Sequence, residues 1–425
     1  MQPNDFRLVL ASLALFATSL SADILTVGPP GSGSDFADIQ SAIDAASPGD
    51  VVLVAAGTYD GFRLELPLTI QGAGPDATRI SEAFIVPTPT LVGVTGIDAG
   101  DVAVVAGMEL DYQAASLQQG GLVEVAGCEG TVAFHDVDVL SIQSQSGVVT
   151  SEAARVLLSD VYAFGGGASG SPGPAYALAT QDTGLWAIDS FFEAPQLFTP
   201  FSPVQKEAAR FVSSTAQLSG TTVLAPSVGA PWAIEGGDGA WTQSATVDLA
   251  RSEVHGADAM VGLPGGYGLR LLQRSTVTAY ADATVAGGFD GAGTTQQDPV
   301  LVEPGSSFAE DRGFLPTLSV AQARVTGGDS LDVQLYGAPS ATGELFASLG
   351  LGAGFQLPGA QGEVFLDPSA LIPLGVVTLD AAGEASVSVQ VPQLPVDAHW
   401  TAAFQWAETG GGAVVISNPG LVSVF

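Results

Sequence analysis

The periodicity of apolar positions changes twice over residues 34–74. Phe36, Ile39, Ile43 and Ala46 recur at helical spacing and form one apolar stripe, which predicts a short amphipathic helix. Asp35 is placed to cap its first turn, with Asp38 three residues on, at the positive end of the helix. Pro48-Gly49 stops it. Val51-Val52-Leu53-Val54 is then apolar without alternation, as in a parallel strand covered on both faces. A Gly57-Thr58-Tyr59 turn and a second strand through Ile70-Gln71-Gly72 follow. This order is expected where a stack of parallel coils begins. The first coil leaves an open core and unpaired edges, and a helix covers them.

A weaker pattern repeats downstream. Apolar runs such as Val132-Ala133-Phe134 and Val156-Leu157-Leu158 precede short polar units. Aligning the units puts Glu109, Asp136, Asp160, Asp189, Gly220, Arg251 and Arg274 in one column, at intervals of 23 to 31 residues. That uneven period predicts one coil of a β-helix per unit. Each coil holds two or three short strands, with insertions confined to turns and small polar residues stacked at corners. The Gly/Pro-rich stretches 165–174 and 287–293 are predicted loops. Residues 299–316, with Pro299, Pro304, Gly305 and Pro316, break the pattern and read as a linker. Beyond it, 317–325, 330–336, 343–348, 376–379, 385–391, 401–406 and 413–417 read as strands of an antiparallel sandwich. Asp380-Ala381-Ala382-Gly383 is the expected hairpin turn.

The opening residues Ile39-Gln40, Ala42 to Ala46, Gly49-Asp50, Gly57-Thr58-Tyr59 and Ile70-Gln71-Gly72 resemble the start of the pectin-lyase-like superfamily, in particular of pectin methylesterases and many secreted bacterial β-helix proteins. The resemblance implies an all-β architecture: a right-handed parallel β-helix with a capping helix, over residues 22–298, followed by the β-sandwich at 317–425. It leaves activity open, because enzymes and proteins with no known activity share this opening.

The first 21 residues read as a secretory signal peptide, with Arg7, an apolar run from Leu8 to Leu20, and cleavage before Ala22. No later segment looks transmembrane, so no membrane span is expected after its removal. The expected location is extracellular or the cell envelope. Cys128 is the one cysteine, which excludes an intrachain disulfide and reads as a buried thiol. The chain has 425 residues, with 11 Lys and Arg against 44 Asp and Glu, for a net charge of −33. Nucleic acid is therefore excluded as a partner, because its phosphates would be repelled. An anionic polysaccharide is disfavoured unless calcium bridges the charges. The sequence does not indicate an oligomeric state.

Candidate chemistry is sparse. Lys206, the single lysine, and Arg210 are the base and clamp a uronide lyase would need. Asp136, Asp160 and Asp189 would stack as a carboxylate ladder, suited either to glycoside hydrolysis or to corner turns, and Asp136, Asp138 and Asp160 are candidate calcium ligands. His255-Gly256, with Asp258 after it, is a fragment of a polygalacturonase motif, and Gln181-Asp182-Thr183 echoes one motif of the esterases, but neither set is intact. Three scattered histidines do not suggest a zinc site. Trp186, Trp232 and Trp241 are candidates for stacking on sugars, and Tyr162, Tyr176 and Tyr267 are further aromatics. The reading favoured by these absences is a secreted β-helix protein without catalysis, with carbohydrate or calcium as candidate ligands. The alternative is a polysaccharide lyase or glycoside hydrolase. A third is an adhesin-like structural stack. A groove gathering two carboxylates, or Lys206 with Arg210, beside an exposed tryptophan is expected of an enzyme; scattered positions are expected of a scaffold.

Overall fold

The computed structural model describes residues 22–81, 90–112, 120–141, 146–165, 176–194, 207–225, 237–259, 263–393, 400–410 and 413–425. Residues 1–21, expected as a signal peptide, lie outside these residues, as do Lys206, Trp232 and His399. Among the described residues no helix is long and apolar enough to cross a membrane.

Residues 24–310 form the expected right-handed parallel β-helix. One side is a nine-stranded parallel sheet running from Phe62–Leu64 to Val300–Val302. The other two faces belong to one 17-stranded sheet that bends along its length. In the coils of Val102–Tyr112, Thr131–Ser141 and Arg155–Phe164 a single long strand runs through that bend. Later coils divide it, as in Gly184–Ile188 and Phe191–Glu193.

Stacked identical positions make the core. Val156, Leu185, Ala216, Val247 and Val277 are register neighbours on successive coils and all are buried. Each strand therefore fills the interior with every second side chain, and the next coil repeats the fill. The corners depend on left-handed backbone. Asp136, Asp160, Asp189, Gly220 and Arg251 have φ of 54°, 51°, 47°, 62° and 50°, one per coil, where the first face turns into the next. A second column at the edge of the nine-stranded sheet holds Gly127, Glu152, Asp182, Ser213, Ser244 and Gln273 in the same conformation. Asp and Gly tolerate this region best, which explains most of the first column.

The repeat alignment is correct from Asp136 to Arg251 and off register at both ends. The preceding bend falls at Gly107, between Ala106 and Glu109, which pair with different strands. Arg274 sits at the second corner, because Leu272 pairs with Gln243 on the nine-stranded sheet.

The helix spans Ile39–Ala45, and Ile39, Ala42 and Ile43 join the core of the solenoid. Its cap is Asp38, whose carboxylate accepts from Ser41 N at 2.8 Å. Asp35, the expected cap, instead accepts from the backbone and hydroxyl of Thr26. Phe36 precedes the helix and bridges Val27. Gln40 reaches Arg63 with both ends of its amide, accepting from Arg63 N at 2.8 Å and donating to Arg63 O at 3.3 Å. The lid thus satisfies backbone groups of a strand edge as well as covering apolar surface.

Residues 299–316, expected as a linker, carry two solenoid strands, Val300–Val302 and Ser307–Glu310, which pair with the coil before them. The C-terminal unit is built around a separate core. Thr317–Val320, Ser330–Tyr336 and Glu384–Gln390 form an antiparallel sheet, and Leu318, Leu331 and Val333 from it pack against Phe404, Trp406 and Val422 of a larger sheet. The expected strand 317–325 is divided: Arg324–Val325 pairs with Gly420–Val424 in the larger sheet. The Asp380 turn is tight, with its carboxylate accepting from Ala382 N and Glu384 N. It crosses between the sheets rather than closing a hairpin, because Leu371–Thr378 pairs with Thr342–Ser348 and Glu384–Gln390 with Ser330–Tyr336.

Candidate functional site

The aspartate ladder is present as stacking requires. Asp136, Asp160 and Asp189 follow one another at the bend, about 4.8 Å per coil. Burial, then the charges of Asp189 and Asp136, push the Asp160 carboxyl up to about 7. His135 Nδ1, fully buried, lies 3.9 Å from Asp160 Oδ2. Further along, a Cβ built on Gly220 would run into Asp189 Oδ1 and stand 3.6 Å from Arg251 Nη1. Glycine thus leaves room for a carboxylate and a guanidinium to converge over the corner. Asp138 lies past the bend, in register with Tyr162. Among the described residues no three His, Cys, Asp or Glu side chains converge to hold a metal ion.

The other expected site residues fall on different faces. Trp186 is on the first face, between Leu157 and Gln217. His255 is on the third, paired with Leu224 and Ala286, its Nε2 3.3 Å from Glu253. Cys128 is buried, and burial pushes its thiol up, away from the reactive thiolate.

Arg210 and Trp241 come together, within a larger cluster on the outer side of the nine-stranded sheet. Two columns meet there. Arg210, Trp241 and Arg270 are register neighbours on three successive strands, half-buried and facing outward. Three residues before each stand Glu207, Asp238 and Tyr267, with Tyr176 one coil earlier. The Arg210 guanidinium lies 4.5 Å from the Trp241 ring centre and 5.6 Å from that of Tyr176, and its Nη1 donates to the Tyr176 hydroxyl at 2.8 Å. Arg270 sits 5.6 Å from the Tyr267 ring, with its Nε 2.8 Å from Asp238 Oδ2. Asp238 Oδ1 accepts from Tyr267 N at 3.0 Å.

The carboxylates lie beneath this layer. Glu207 is 7% exposed and Asp238 2%. Burial and the charge of Asp238 push Glu207 up to about 7, against the opposing pull of Arg210 and Arg270. Burial and Glu207 likewise raise the Tyr176 phenol. The face that results is a layer of rings and guanidinium groups, held in position by buried acids. Such stacks are worth about 0.5–2 kcal/mol each, according to their exposure.

Sequence reasoning missed Glu207, Asp238 and Arg270. The signal was available, since Arg210, Trp241 and Arg270 recur at the coil period, as do Glu207, Asp238 and Tyr267 three positions earlier. The corner column holds Asp on three coils in succession, whereas these columns change residue type at each coil.

No protein-family model matches the chain, and no curated protein matches it. Among solved structures it is similar to the pectin methylesterase PemA from Erwinia chrysanthemi, at 12% identity and a TM-score of 0.29, over 70% of this chain and 90% of that one. It is also similar to a pectin methylesterase in complex with a hexasaccharide, at 12% identity and a TM-score of 0.27, over 69% and 89% of the two chains. At this level neither likeness bears on chemistry.

Proposed function

We propose that the protein is an exported β-helix scaffold that binds a linear, uncharged polysaccharide without turning it over. Its site is the outer face of the nine-stranded sheet around Arg210, Trp241 and Arg270. The observation that carries the reading is the Tyr176–Arg210–Trp241 stack, continued by Arg270 over Tyr267 on the next coil. Rings and donor groups repeated along parallel strands offer an extended sugar chain apolar contact and hydrogen bonds at successive coils. A net charge of −33 argues against a polyanion over the rest of the surface. Export rests on the N-terminal pattern of Arg7 and Leu8 to Leu20, and N-terminal sequencing of the mature protein should begin at Ala22.

A glycoside hydrolase is the second reading. It is favoured by Glu207, whose carboxyl is raised to about 7 beside Asp238, in the direction a general acid beside a carboxylate would need. Against it, both acids are nearly closed to solvent and Asp238 is engaged by Arg270 and Tyr267.

A panel of neutral and acidic polysaccharides tests both readings. Affinity electrophoresis should find a neutral polymer whose retention weakens at least tenfold in Trp241→Ala and in Arg210→Ala, about 1.4 kcal/mol. Reducing ends and unsaturated products should stay at background, with and without calcium. Turnover abolished by Glu207→Gln would replace the scaffold reading with the hydrolase.

A further inference from the structure

The C-terminal unit contains a cavity of about 160 Å³ between its two sheets. Leu331 and Val389 of the three-stranded sheet face Leu374, Ala402, Phe404 and Val424 of the larger one across it. No described residue lining it is charged. The Ser348 and Gln390 side chains at its border are already engaged. Ser348 Oγ donates to Gly350 O and accepts from Asp367 N, and the Gln390 amide nitrogen donates to the carbonyls of Gly328 and Asp329. Around the mouth Leu349, Ile372 and Trp400 are 45%, 42% and 36% exposed.

Water needs two to four polar partners to stay in such a space, and the described residues of these walls do not supply them. An apolar group gains its full transfer free energy on entering. The volume limits its size: an engineered apolar cavity of about 150 Å³ takes a six-carbon ring, so this one holds about six carbons. The mouth decides the shape. The apolar surface continues outward onto Leu349, Ile372 and Trp400, where further carbons of a chain can lie and which a compact ring would leave unused. No described residue of the wall is charged, so polarity belongs at the end left in solvent.

We propose that this cavity binds the end of a linear hydrocarbon chain, the tail of a single-chain amphiphile whose head remains in water. The intact protein is titrated calorimetrically with the n-alcohols from butanol to decanol. Affinity should rise about fourfold per added methylene until about six carbons fill the cavity. Beyond that it should rise less steeply, as added carbons lie on the rim. Ala402→Leu, which fills the space, should weaken hexanol binding at least tenfold. Leu349→Ser, on the exposed rim and safe for folding, should leave butanol and hexanol unchanged and flatten the gain from hexanol to decanol. The absence of saturable binding across the series would overturn the proposal, as would affinities that neither variant alters. Co-sedimentation with phosphatidylcholine vesicles without alcohol binding would also overturn it, in favour of a membrane-docking rim.

Discussion

Asp160 shows how a single residue answers two demands. Its φ of 51° calls for a side chain that tolerates left-handed backbone, and its place in the column puts it between two other carboxylates. The second demand is costly, because burial and those neighbours raise its carboxyl to about 7 against about 3.9 in an unfolded chain. The folded state therefore holds a proton that the unfolded state has released between these values. Stability falls as pH rises from about 4 to about 7, and the penalty is complete above that. Asp160→Asn keeps the backbone tolerance and removes the charge. It should stabilise the protein by about 1–2 kcal/mol at pH 8 and by almost nothing at pH 4, read from urea unfolding at the two pH values. An equal effect at both would show that the ladder carries no electrostatic penalty. At this scale the corner aspartates were legible in the sequence, because backbone conformation is a local property. The pairing of Arg210 with Tyr176, 34 residues away, was not, because it depends on which coils become neighbours.

Coils are joined at their corners by a device that the strands cannot provide. Ser190, Thr221 and Ser252 follow the left-handed residues of three successive coils, and each points its hydroxyl inward. Val161 N donates to Ser190 Oγ at 3.1 Å, and Thr221 N to Ser252 Oγ at 3.1 Å. Each hydroxyl donates in turn to carbonyls, as Ser252 does to Ala250 O. A second set on the other corner links Thr183 N to Ser214 and Ser275 N to Ser306. Amides that the ladder leaves unpaired where the chain turns are thus satisfied by the coil below. Ser252→Ala strands the buried Thr221 N–H and should cost about 1–3 kcal/mol in urea unfolding. A loss below about 0.5 kcal/mol would mean that the hydroxyl column is dispensable. The expectation of small polar residues at the corners was correct in kind. The end anchors at Glu109 and Arg274 missed because strand lengths differ among coils, so a constant offset drifts off the bend.

At the scale of the whole molecule, the chain carries a net charge of −33 and folds into a solenoid and a sandwich, each with its own apolar core. Self-repulsion of that size destabilises compact states, and salt relieves it by shortening the screening length from about 10 Å at 0.1 M to about 3 Å at 1 M. Melting temperatures should therefore rise by about 5 °C or more over that range of sodium chloride. A fall would show that ion pairs such as Arg270 with Asp238 outweigh the repulsion. The chain by itself determined the lid, the winding of parallel coils and the change to antiparallel pairing, because helical stripes, unbroken apolar strands and Pro/Gly stops act over a few neighbouring residues. Only the tertiary structure decided where the solenoid ends, which sheet each late strand joins, and which side chains share a column. Those outcomes depend on register between coils separated by insertions of unequal length, and register is set by hydrogen bonds across the stack rather than by anything adjacent in sequence.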